Sequence, residues 1–152
     1  MELLKFCTLV EENIKDKEKY LEYFEENKDL LLKKDKSSPL LLKIYKKIDI
    51  STFFIIIELG FIYDFIVPST KMSFLQTLII NEEMDKATKL VALKEFKDIN
   101  YIEKESKQTA LMMAGYMNCA KLGQALLFKG SDPTLRDKNG LTALQIVKLN
   151  KN

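Results

Sequence analysis

The sequence predicts an all-α protein: a helical solenoid of about three and a half stacked units behind an N-terminal helical cap. Two observations predict it. A short phrase recurs along the chain as Ser38-Pro39-Leu40, Ser73-Phe74-Leu75, Thr109-Ala110-Leu111 and Thr142-Ala143-Leu144, at intervals of 35, 36 and 33 residues. Between two of these starts the segment SDPTLRDKNG, residues 131–140, is dense in turn formers. An interval in this range marks units that cannot bury their own apolar face and stack on neighbours to do so.

Residues 1–36 lack the phrase. Leu3, Leu4, Phe6, Cys7, Leu9, Val10 and Ile14 recur at helical spacing, as do Tyr20, Leu21, Tyr23 and Phe24, then Leu30 to Leu32 after a break expected near Asn27. The segment reads as a helical cap or degenerate first repeat, because 36 residues are too few to hold a core of their own. Residues 37–152 form the array. At each start, Ser or Thr is placed to cap the following helix by accepting from its free amides, and Pro39 suits a first helical turn. From Thr109 one helix runs to Asn118, a residue that tolerates left-handed geometry. Leu122, Ala125, Leu126 and Phe128 mark a second helix that Gly130 stops. The last copy has one helix, with Lys148 where a small buried residue is expected, which suits an end cap facing water.

These residues resemble the ankyrin repeat family. The likeness is strongest from Thr109 to Val147, in Thr109, Ala110, Leu111, Ala114, Leu126, Leu127, Gly130, Asp132, Asp137, Gly140, Thr142 and Leu144. It extends more thinly over residues 37–152, with Gly60 resembling Gly130 and residues 98–111 resembling an inter-repeat loop. The resemblance implies an ankyrin-type solenoid whose concave face binds a protein partner. It also implies a core containing Leu111, Leu126, Leu127 and Leu144. The chain departs from the pattern in having no histidine. The four places where the family carries one are Leu41, Gln76, Met112 and Gln145, so inter-repeat hydrogen bonds fall to glutamine or are lost. The small pair Ala114-Gly115 lets neighbouring helices approach, but its counterparts are Lys43-Ile44 and Leu78-Ile79, so repeats one and two are expected to be splayed or irregular.

Composition narrows the function. Apolar residues make up 47%, enough for one domain's core, and 24 basic residues are interspersed with 22 acidic ones, which leaves no nucleic-acid footprint. Cys7 and Cys119 are far apart and read as free buried thiols, not a metal or redox pair. The start MELLKFCTLVEEN fails as a signal peptide, and Phe53–Val67 is too short and too interrupted to span a bilayer. A cytoplasmic protein without membrane contact is therefore expected.

No histidine, glycine-rich phosphate loop, nucleophile elbow or metal-spaced cysteine pair is present, so no enzyme, cofactor or metal is expected. Glu25-Glu26 and Glu82-Glu83 read as solvated helix faces, and Asp132 and Asp137 as turn formers that bond nearby amides. Binding rests instead on loop positions, among them Lys34, Asp35, Ser69, Thr70, Glu105, Ser106, Lys138 and Asn139, and on the edge of the first helices. Seven and eight residues after each start stand Tyr45 and Lys46, Ile80 and Asn81, Tyr116 and Met117, Leu149 and Asn150. Tyr45, Ile80, Tyr116 and Met117 would form an apolar seam, joined by Glu105, Lys138 and Asn139 at the loop tips. The competing reading turns Tyr45 and Ile80 inward through irregular packing. The expected partner is a protein of unspecified identity, engaged by a monomer or weak homodimer. A dedicated enzyme inhibitor of antitoxin or immunity type is the alternative.

Overall fold

The structure is a computed structural model that describes residues 2–150. The described residues form nine α-helices and no strand, with one isolated antiparallel bridge between Ile66 and Ser73. The chain divides into two compact units, residues 1–63 and 64–152, so the division falls inside the segment expected to be one array.

In the first unit, α1 (Glu2–Glu12) packs on α2 (Lys17–Ser37) and on α4 (Ile50–Glu58), with the short α3 (Leu40–Ile44) between α2 and α4 in sequence. Helix α1 buries Leu3, Phe6, Cys7 and Val10, the i, i+3, i+4, i+7 set of one helical face. The ring of Phe6 lies 5.5 Å from Phe24 and 5.5 Å from Phe61, and the three rings form one buried cluster. Burying each such side chain contributes about 1.5–3 kcal/mol. Asp49 caps α4 by accepting the Thr52 amide at 2.9 Å.

Several sequence expectations fail in this unit. Helix α2 runs unbroken through Asn27, whose amide donates to the Tyr23 carbonyl at 2.9 Å, so the side chain bonds along the helix instead of ending it. Ser38 does not cap the next helix: it closes α2, and Pro39 precedes α3 without a side-chain cap. The capping is done by Asp35, which was expected at a loop tip but is buried in the last turn of α2. Its Oδ1 accepts the Leu40 amide at 2.8 Å and its Oδ2 accepts the Ile62 amide at 2.6 Å. Lys34, also expected in a loop, lies in α2.

In the second unit, α5 (Phe74–Ile80) pairs with α6 (Met84–Leu93), and α7 (Ala110–Tyr116) with α8 (Ala120–Phe128); α9 (Ala143–Asn150) completes the order. The first helices pack in succession, α5 on α7 and α7 on α9, while α6 packs on α8. Each start caps its helix. Ser73 and Gln76 form a reciprocal capping box, Thr109 accepts the Met112 amide at 3.3 Å, and Thr142 and Gln145 exchange bonds of 2.9 and 3.3 Å. Leu78 and Ile79 are fully buried where Ala114 and Gly115 stand in the next unit. A Cβ on Gly115 would meet Val147 at 3.1 Å, so this glycine sets how closely α7 and α9 approach.

Candidate functional site

Three loops precede α5, α7 and α9, and each is closed by backbone bonds of the same kind. Val67 donates to Met72 at 2.7 Å, Glu103 to Gln108 at 3.0 Å, and Asp137 to Leu141 at 2.9 Å. Two residues before each start the backbone is left-handed, at Lys71 (φ 64°), Lys107 (φ 58°) and Gly140 (φ 79°). A second set of left-handed residues, Glu82 (φ 63°) and Asn118 (φ 55°), turns the chain between the paired helices. Glu82 is therefore a turn residue, not part of a helix face, and its neighbour Glu83 pairs with Lys86 at 2.7 Å.

Carboxylates hold two of the loops in shape. Asp137 Oδ1 accepts the amides of Asn139 and Leu141, both at 2.9 Å. Glu103 does the same one loop earlier, accepting from the Glu105 amide at 2.7 Å and from the Ser106 amide and hydroxyl at 2.9 and 2.7 Å. Those donors, the two amides first, hold the Glu103 carboxyl below the usual range. At Asp132 the hydroxyl and then the amide of Thr134 have the same effect.

Neighbouring loops are also tied to one another. The Lys138 amide donates to the Ser106 carbonyl at 3.0 Å, and the Tyr101 hydroxyl to the Lys71 carbonyl at 2.6 Å. Asp64 accepts the Lys97 amide at 2.8 Å, and Asn100, placed 36 residues after Asp64, accepts the Asp132 amide at 2.7 Å. Buried Gln76 links α5 to the next loop, donating to the Tyr101 and Gln108 carbonyls, both at 3.1 Å. Glutamine thus supplies an inter-loop bridge at one of the four histidine-less places. Met112 and Leu41 are buried apolar residues, and Gln145 bonds to Thr142 within its own cap.

On this scaffold Ile80, Tyr116 and Met117 come together with Gln108 and Met113 around a shallow depression of about 270 Å³. Ile80 and Tyr116 are 44% and 43% exposed, so Ile80 does not turn inward. Met117 is half-buried, while Glu105, Lys138 and Asn139 are exposed at loop tips. Tyr45 departs from the expected seam: it is 8% exposed in the first unit and is not available to a partner there. Two predicted core residues are also on the surface, Leu127 at 48% and Leu144 at 60% exposure, whereas Leu111 and Leu126 are buried. Leu127 and Leu144 face a groove that no other described helix fills.

Sequence reasoning missed the amide-binding roles of Asp35 and Glu103, whereas Gln76 stands at one of the places where a glutamine was expected to take over a bond between repeats. Glu103 had a legible signal, since it stands 34 residues before Asp137. Among the described residues no group of three His, Cys, Asp or Glu could hold a metal ion, and no helix is long and apolar enough to cross a membrane. Burial, with the Glu11 carboxylate beside it, pushes the Cys7 thiol up to about 12, whereas Cys119 is only half-buried. No protein-family model matches the chain, and no curated protein matches it.

Proposed function

We propose that this chain is a protein-interaction module of ankyrin-repeat type, acting by occupancy and without catalysis. Its contact surface is the exposed edge formed by Ile80, Tyr116 and Met117, extended by Glu105, Lys138 and Asn139 on the loop tips. The observation that carries this reading is the gathering of Ile80, Tyr116 and Met117 around one depression in the second unit. Tyrosine and methionine are enriched at such contacts, and a charged rim around an apolar centre is the usual arrangement. Support for the repeat type comes from the caps at Ser73, Thr109 and Thr142 and the left-handed residues two positions before each. Because loop and helix ends are already tied together, little ordering entropy is lost on this side when a partner docks.

Capture from the native cell extract tests the proposal. The immobilised protein is compared with a Tyr116→Ala, Lys138→Ala, Asn139→Ala variant that melts like the parent. One stoichiometric partner retained by the parent and lost by the variant is the expected result. Equal capture by both would sink the choice of surface. If the captured protein is an enzyme, loss of its activity on mixing would identify the occupancy as inhibition.

A further inference from the structure

The second unit also holds an apolar concavity larger than the loop-edge depression. It is a groove of about 460 Å³ with Leu111, Ala114 and Gly115 from α7, Gly123 and Leu127 from α8, and Leu144 from α9 among its lining residues. Its place in the packing is informative. Helix α8 rests against its pair partner α7 and its neighbour α6. The groove offers α9 and α8 in the same relation, so its shape is a seat for one further helix. Leu127 and Leu144 lie largely open along it, and Phe128, the residue after Leu127, is 88% exposed. Gly123 adds an independent sign. It costs helix stability in the middle of α8, yet a Cβ there would meet nothing within 4 Å.

Charge selects the occupant. Helices α8 and α9 contain no acidic residue, and the exposed Lys121 and Lys148 follow the groove-lining Ala120 and Val147 in sequence. Lys129, just beyond α8, is paired with Glu95 at 3.0 Å. From Thr109 to Asn150 the only acids are Asp132, engaged by Thr134, and Asp137, buried against its own loop. We propose that the groove docks an acidic amphipathic helix of a protein partner. Its leucine-like face lies on Leu127, Leu144 and the open flank of Gly123, and its carboxylates meet Lys121 and Lys148. This surface is separate from the loop edge, so the two proposals stand or fall independently.

The test uses the full chain and three fluorescein-labelled synthetic peptides. One is an amphipathic helix with leucine at i, i+3, i+4 and i+7 and glutamate on its other face. The second replaces each glutamate by lysine, and the third scrambles the first. Fluorescence anisotropy should show the acidic helix binding about tenfold or more tightly than either control, and more weakly as salt rises. Gly123→Leu should remove binding while the melting temperature is kept or raised, and Tyr116→Lys should leave binding unchanged. Reversing the rim with Lys121→Glu and Lys148→Glu, both at exposed positions, should transfer preference to the lysine peptide. Equal binding of the acidic and lysine peptides would overturn the proposal, as would binding indifferent to Gly123→Leu. Concentration-dependent dimerisation abolished by Gly123→Leu would also overturn it, because a second copy would then be the occupant.

Discussion

Asp35 accepts the backbone amide of Ile62 at 2.6 Å, joining the end of α2 to a residue 27 positions later. Its other oxygen accepts Leu40 at 2.8 Å, so one buried side chain satisfies two amides. Replacing it by alanine leaves the buried Leu40 amide and the half-buried Ile62 amide without this partner. Asp35→Ala is expected to cost about 3 kcal/mol, from about 1–3 kcal/mol for each unsatisfied group. Urea unfolding followed by circular dichroism measures it, and a loss below about 1 kcal/mol would show that the amides find other partners.

Asp35 and Glu103 should respond to acid with opposite signs. Burial raises the Asp35 carboxyl above its ordinary value, so the folded state holds that proton more tightly than the unfolded chain does. Its contribution to stability grows as pH falls through the folded value and is complete below the ordinary aspartate range of about 3.9. Glu103 is held low by its loop amides, so its contribution is present above the ordinary glutamate range of about 4.3 and is lost as pH falls through the folded value. Urea midpoints between about pH 3 and pH 7 should therefore show a reduced gain in Asp35→Asn and a reduced acid loss in Glu103→Gln. Shifts of the same sign in both variants would refute the assignment.

The two cysteines should differ in reactivity. At about pH 8 a thiol raised to about 12 holds almost no thiolate, so Cys7 should resist iodoacetamide in the folded protein. Cys119 is half-buried and lines the groove, and it should be alkylated first. Peptide mass spectrometry after a short exposure reads the order. The acidic helix peptide should slow the reaction at Cys119.

Backbone strain gives a fourth expectation. Lys107 is left-handed at a position where the following loop has Gly140. An L side chain there costs about 1–2 kcal/mol, part of which glycine gives back through its greater freedom in the unfolded chain. Lys107→Gly is expected to stabilise by somewhat under about 1 kcal/mol, and Gly140→Ala to destabilise by a similar amount. A difference in thermal midpoint of the opposite order would contradict it.

Local chemistry was readable and distant chemistry was not. Thr109 and Ser73 announce their helices because a cap bonds amides only three residues away, and Asn118 and Gly130 mark the ends of α7 and α8 through their own backbone freedom. Asp35 gave no such sign, since its second donor lies 27 residues off and nothing near Asp35 specifies it. Asn27 misled because a residue that often breaks helices can also bond back to its own turn. Leu127 and Leu144 were assigned to the core by a pattern that presumes a neighbouring helix on that side. At the candidate surface, the spacing from each start put Ile80 and Tyr116 in the right exposure. The same spacing failed at Tyr45, whose preceding helix α3 is short and capped by Asp35 instead of Ser38.

The bonds from Asp64 to Lys97 and from Asn100 to Asp132 close spans of 33 and 32 residues. Each span holds one helix pair with the loop between it and the preceding pair. Adding or removing a few residues inside such a span would pull one partner away from the other and leave a polar group unmatched. A duplication or deletion of one whole unit would carry an acceptor and a donor together and leave every remaining closure intact. The second unit is therefore built to change its length in steps of one helix pair with its loop, each step keeping its own acceptor and donor matched.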